Sequence, residues 1–156
     1  MGMSDADSCA HLQILSQSEY RILKTIVRQI LPGASEIQGL DLAQRIDSAL
    51  APASRKFGQD LKRLLFVFEY GAPLLGFTLK QFTQMSPEEK DRYLSGWERS
   101  HLSFKRMGFQ ALKRLALAAF YGSDESWNVI GYPGPWLNKG YPYDYQGKGI
   151  KTFPRN

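Results

Sequence analysis

From Gln17 onward apolar residues return every three or four positions, at Tyr20, Leu23, Ile26, Val27, Ile30 and Leu31. That spacing places them on one side of an α-helix. Pro32-Gly33 ends it, because proline cannot continue the hydrogen-bond ladder and glycine takes up the turn. A second helix is predicted from about Leu40 to Leu50, with Leu42, Ile46 and Leu50 on one stripe and Pro52 beyond it. A third, from about Ser54 to Tyr70, gathers Leu61, Leu64, Leu65 and Phe68 and ends at Gly71-Ala72-Pro73. The sharpest local signal is Ser86-Pro87-Glu88-Glu89. Serine as N-cap, proline in the first helical position and glutamate three residues after the cap satisfy the free N–H groups and complement the helix dipole. This fourth helix should reach about Arg99. The fifth, from about Ser100 to Tyr121, is apolar at Phe104, Met107, Ala111, Leu112, Leu115 and Ala119. Its last two turns are apolar nearly all round, which predicts a helix buried on several sides at the centre of the molecule. The pattern as a whole predicts an all-α fold, a compact bundle of about five helices spanning residues 17–121.

The two flanks read differently. Residues Met1 to Ser16 are mostly small and polar and are predicted to be disordered or weakly docked. Gly122 to Asn156 holds six of the 14 glycines, four of the eight prolines and seven aromatics. Helix and sheet are both disfavoured there, yet a disordered linker would be poor in aromatic side chains. An extended C-terminal strap over 122–156 is therefore predicted, docked on the helical domain or on a partner.

A chain of 156 residues with 43% hydrophobic residues has the size and apolar content of one domain with its own core. Cys9 is the only cysteine and His11 and His101 are the only histidines, which excludes a disulfide framework and the common zinc sets. The longest apolar run, Leu115 to Tyr121, falls far short of the ~20 residues needed to span a bilayer. The net charge of +5 is unevenly spread: residues 54–121 carry 12 basic and 6 acidic groups, whereas residues 1–53 are net acidic. The basic residues come as spaced pairs (Arg55-Lys56, Lys62-Arg63, Lys105-Arg106, Lys113-Arg114) between apolar positions, as on the solvated edges of amphipathic helices. A basic helical module for an acidic protein or nucleic acid is the alternative reading. No phosphate loop, nucleotide-binding glycine pattern or nucleophile elbow is present. The chain reads as non-catalytic.

One long segment carries a resemblance. It runs Glu69-Tyr70-Gly71-Ala72-Pro73, Gly76-Phe77, Phe82-x-x-Met85-Ser86-Pro87-Glu88-Glu89-Lys90 and Tyr93-Leu94-x-x-Trp97-x-x-Ser100. It continues through Arg106-x-x-Phe109-x-x-Leu112-Lys113-x-Leu115 and Phe120-Tyr121 to Trp127-x-x-Ile130-Gly131-Tyr132-Pro133-Gly134-Pro135. This resembles the gluconate 2-dehydrogenase subunit 3 family, the small subunit that accompanies FAD-dependent dehydrogenases of the glucose-methanol-choline type. The first half of the chain fits more loosely. The resemblance implies an all-helical protein without a cofactor of its own, clasping a large flavoprotein that holds the FAD and oxidises an alcohol, sugar or steroid. A cytochrome c electron-transfer subunit is a further candidate component, and no specific nucleic acid is implied. Carried over by position, Ser86, Trp97, Ser100, Phe109 and Lys113 form a mainly structural signature. Trp127, Ile130, Gly131, Tyr132, Pro133, Gly134, Pro135, Trp136, Tyr141 and Tyr143 form the strap that meets the flavoprotein. Family members often begin with a twin-arginine export signal, and this sequence shows no such pair. That departure implies a cytoplasmic complex, or a periplasmic one whose signal has been removed or is carried by the partner.

Overall fold

In a computed structural model the described residues are 12–74 and 80–132, and they contain six α-helices and no strand. The first, α1 (Gln17–Ile30), begins at Ser16, whose hydroxyl accepts the Glu19 N–H while the Glu19 carboxylate accepts the Ser16 N–H at 2.7 Å. This reciprocal cap satisfies two of the donors that a helix start leaves free. A 3₁₀ turn at Pro32–Glu36 follows, then α2 (Leu42–Leu50), capped by the Asp41 carboxylate on the Gln44 N–H at 3.1 Å. The remaining helices are α3 (Arg55–Leu74), α4 (Pro87–Glu98), α5 (Ser103–Tyr121) and the short α6 (Asp124–Ile130). A 3₁₀ turn at Phe82–Gln84 leads into α4.

The core is built around α1. Leu23 and Ile26 are fully buried, and α1 packs against α2, α3, α4, α5 and both 3₁₀ turns. The sequence pattern predicts α5 in that position, and the structure corrects this. Only Gly108, Phe109, Leu112 and Ala116 of α5 are buried, while Tyr121 is 57% exposed. The apolar run of α5 is wider than the side that α1, α2 and α4 cover, so part of it faces solvent.

Two buried carboxylates tie loops to the core. Asp47 is fully buried and accepts three consecutive backbone N–H groups, from Gln13, Ile14 and Leu15, at 2.5, 3.1 and 2.8 Å. The segment 12–16, predicted disordered or weakly docked with the rest of the N-terminus, is docked through these bonds, with Leu15 in the core; residues 1–11 lie outside the described residues. Glu69 accepts both the N–H and the hydroxyl of Thr83, fixing the 3₁₀ turn before α4 against α3. At the foot of α1, Asp41 accepts from the Tyr20 hydroxyl and from Lys24 Nζ at 2.8 Å.

The Asp41 cluster makes stability depend on pH. Burial alone would raise the Asp41 pKa, but the bonds from Lys24, Tyr20 and the Gln44 N–H outweigh it and hold the carboxyl below its ordinary range. Its contribution is therefore complete above the ordinary aspartate range and lost as pH falls through the lowered value. Burial and the Asp41 bond raise the Tyr20 pKa, so the tyrosine's contribution is lost only as strong alkali removes its proton. Thermal melts should show Asp41→Asn less stable than the parent at neutral pH, with the gap narrowing below about pH 4. A gap that stayed constant down to pH 3 would contradict this account.

Three further boundaries differ from the sequence reading. α3 does not stop at Gly71-Ala72-Pro73 but continues to Leu74, because Ala72 is fully buried and its packing holds the turn past the glycine. α5 starts at Ser103 rather than Ser100: the Ser100 hydroxyl accepts the Leu102 N–H, and Arg106 donates to the Ser100 carbonyl at 2.6 Å, so 100–102 form a corner. Residues 124–130, predicted extended, form α6. Asp124 and Glu125 complement its first turn, and Arg45 of α2 pairs with Glu125. The Ser123 and Ser126 hydroxyls both donate to the Phe120 carbonyl, which staples the sharp turn between α5 and α6.

Candidate partner-binding surface

The aromatic end of α6 is organised by a glycine. Gly131 adopts φ 68° and ψ 21°, a left-handed conformation that suits glycine at a helix C-terminus, and the N–H groups of Gly131 and Tyr132 both reach the Trp127 carbonyl. This turn folds the Tyr132 ring back edge-on to Trp127, with centroids 5.4 Å apart and planes at 90°. The Trp127 Nε1 donates to the Tyr121 carbonyl at 2.7 Å, which satisfies the indole and fixes α6 to the end of α5. Around this pair Val129 is 66%, Ile130 45% and Tyr132 40% exposed, so the end of α6 is an apolar knob on the surface. Four of the predicted partner-contacting residues, Trp127, Ile130, Gly131 and Tyr132, are thereby brought together. Pro133, Gly134, Pro135, Trp136, Tyr141 and Tyr143 lie outside the described residues.

The signature residues lie at the joints of α3, α4 and α5. Ser86 caps α4, its hydroxyl accepting the Glu89 N–H at 3.2 Å while Glu89 accepts the Ser86 N–H at 2.8 Å. The bonds from Ser86 lead the causes that lower the pKa of both Glu88 and Glu89. Trp97 is 2% exposed and forms the centre of an aromatic cluster, 4.4 Å from the Phe68 ring, 6.0 Å from Tyr93 and 6.4 Å from Phe104. Its Nε1 is buried without an acceptor among the described residues. Tyr93, whose hydroxyl donates to the Phe68 carbonyl, has its pKa pushed up by burial. Phe109 is buried behind the Lys113 ammonium, which lies 5.8 Å from its ring centroid and 3.5 Å from the Glu98 carboxylate. Gly108 completes this joint: a Cβ there would stand 2.6 Å from Leu64 Cδ1 and 3.3 Å from Trp97 Cζ3, so the missing side chain lets α3 and α4 close on α5.

Asp47 and Glu69 are important polar residues to which sequence reasoning assigns no role, although Glu69 opens the segment that carries the resemblance. The available signal for Asp47 is its position beside Ile46 on the stripe that also holds Leu42, Ala43 and Leu50, where a carboxylate needs partners. His101 is exposed at the corner between α4 and α5. The lowered carboxylates, Glu19, Asp41, Glu88, Glu89 and Glu125, all accept cap or ion-pair hydrogen bonds. Among the described residues no group of three or more His, Cys, Asp or Glu side chains could hold a metal ion, and no helix is long and apolar enough to cross a membrane. What this surface can do chemically is bury apolar and aromatic area against another molecule. No family model, curated protein or solved structure matches the chain.

Proposed function

We propose that this chain is a non-catalytic small subunit that binds and stabilises a large FAD-dependent dehydrogenase of the glucose-methanol-choline type, the flavin and the oxidation of an alcohol, sugar or steroid belonging to the partner. The observation that supports it most is the exposed end of α6. There Trp127, Ile130, Gly131 and Tyr132, from the most specific motif of the resemblance, form one preformed apolar knob instead of entering the core. A knob whose rings already hold each other loses little conformational freedom on docking. Aromatic anchors of this kind are typical hot spots, each worth on the order of 2 kcal/mol when removed.

The test is the double variant Trp127→Ala/Tyr132→Ala, titrated against a candidate FAD-dependent dehydrogenase of that type. Both side chains lie outside the α1-centred core, so circular dichroism of the isolated variant should keep the signal of α1 to α5, with any loss confined to the seven residues of α6. Association measured by isothermal titration should weaken by about a hundredfold or more. Unchanged affinity would remove α6 from the interface, and collapse of the helical signal would make the knob part of the fold.

A further inference from the structure

We infer that α5 carries a second docking surface, separate from the α6 knob, and that its occupant is an acidic amphipathic helix of a partner protein. Phe104, Met107, Ala111, Leu115 and Ala118 recur at helical spacing and form one stripe along α5. This is the part of the helix that the core leaves uncovered: Met107 is 70% and Phe104 55% exposed, Ala111 and Ala118 are exposed, and Leu115 is half-buried. At its C-terminal half the stripe forms one wall of a groove of about 590 Å³ between α5 and α2, lined by Ile46, Ala49, Leu115, Ala118 and Ala119 among others. Small side chains on both walls leave room for the larger apolar side chains of a visiting helix.

Charge selects the occupant. Helix α5 itself carries four basic residues and no acidic one, and the two charged side chains that line the groove, Asp41 and Arg45, are already paired with Lys24 and Glu125. Arg114, on the same helix as the stripe, is exposed and has no carboxylate within ion-pair distance among the described residues. A second copy of the chain would bring the same positive surface against this one. The chain's own residues 133–156 carry four basic groups and one acid, so they repeat the charge of the surface. A partner with glutamates or aspartates flanking an apolar stripe complements both features. Nucleic acid would satisfy the charge but leave Met107 and Leu115 against a phosphate backbone, and a flat membrane surface would not fill a concave groove. The inference stands without the flavoprotein reading, and its test contains no flavoprotein, so either can fail alone.

The probe is a fluorescein-labelled synthetic helix with leucines at i, i+3, i+4 and i+7 and glutamates on the flanks, titrated with the full chain by fluorescence anisotropy. The glutamate peptide should bind at least about tenfold more tightly than its lysine-for-glutamate counterpart or a scrambled version, and added salt should weaken it. Ala118→Glu and Met107→Glu, both at exposed helical positions, should each reduce affinity by about tenfold or more with unchanged circular dichroism. Equal binding of the glutamate and scrambled peptides, or full affinity in both variants, would overturn the inference. Tighter binding to duplex DNA or to phosphatidylglycerol vesicles than to the peptide would overturn it in favour of those surfaces. So would a concentration-dependent dimer that Ala118→Glu abolishes, or a large gain in peptide affinity on removal of residues 133–156.

Discussion

Asp47→Ala is expected to destabilise the protein by about 3–5 kcal/mol, a large effect for a polar substitution. The fully buried carboxylate is the acceptor for the N–H groups of Gln13, Ile14 and Leu15, and removing it leaves the buried Leu15 N–H without an acceptor and frees the two part-buried ones beside it. An unsatisfied buried donor costs about 1–3 kcal/mol, and with its three bonds to the core gone, segment 12–16 would detach rather than leave the Leu15 N–H unpaired. Detachment takes Leu15 out of the core and loosens the approach to the Ser16 cap of α1, the helix that α2, α3, α4 and α5 all pack on. Chemical denaturation gives the stability loss. Hydrogen exchange gives its location, since the three amides should lose protection before α2 or α3 does. Asp47→Asn should cost less, because the remaining carbonyl oxygen still accepts from two of the donors. A loss under about 1 kcal/mol for Asp47→Ala would mean that the N-terminal segment contributes little to the fold.

Trp97→Ala is the second large effect, with an expected cost of about 3–5 kcal/mol. Its indole is 2% exposed and joins Phe68 of α3, Tyr93 of α4 and Phe104 of α5, so its removal opens a cavity where three helices meet. Gly108 sharpens the effect, because α5 has no side chain at that point to fill the space. Trp97→Phe should cost far less. The ring contacts survive in part, and the buried N–H that lacks an acceptor is removed with the larger ring. Equal losses for the two variants in urea titration would show that the indole N–H contributes a bond of its own.

Local signals made part of this fold legible in the sequence. The Ser86-Pro87-Glu88-Glu89 cap placed the start of α4 because its hydrogen bonds close within four residues and owe nothing to tertiary context. The stripe of Tyr20, Leu23, Ile26 and Val27 identified α1 because its whole apolar side is buried. Where packing decides, the sequence said less. The breadth of the apolar run at the end of α5 predicted burial on several sides, but periodicity cannot tell a side that meets α1 from one left for a partner. α6 was hidden by averaging: glycine, proline and aromatic content over 35 residues masked the local Asp124-Glu125 start and the Gly131 stop. Asp47 and Glu69 act on backbone groups 14 to 34 residues away in the chain, a pairing that no short-range pattern encodes. At the candidate site, the Trp127-x-x-Ile130-Gly131-Tyr132 spacing singled out residues that meet at one point, whereas the turn that brings them together depends on the helix that was missed.

The central claim is that this helical body exists to hold a flavoprotein. It is tested most directly by co-expressing the chain with the product of the adjacent reading frame and following size exclusion at protein and flavin wavelengths. Co-elution of both chains in one peak with flavin absorbance is the result this account predicts. A colourless monomer of this chain, eluting apart from a folded and flavin-loaded neighbour, would contradict it.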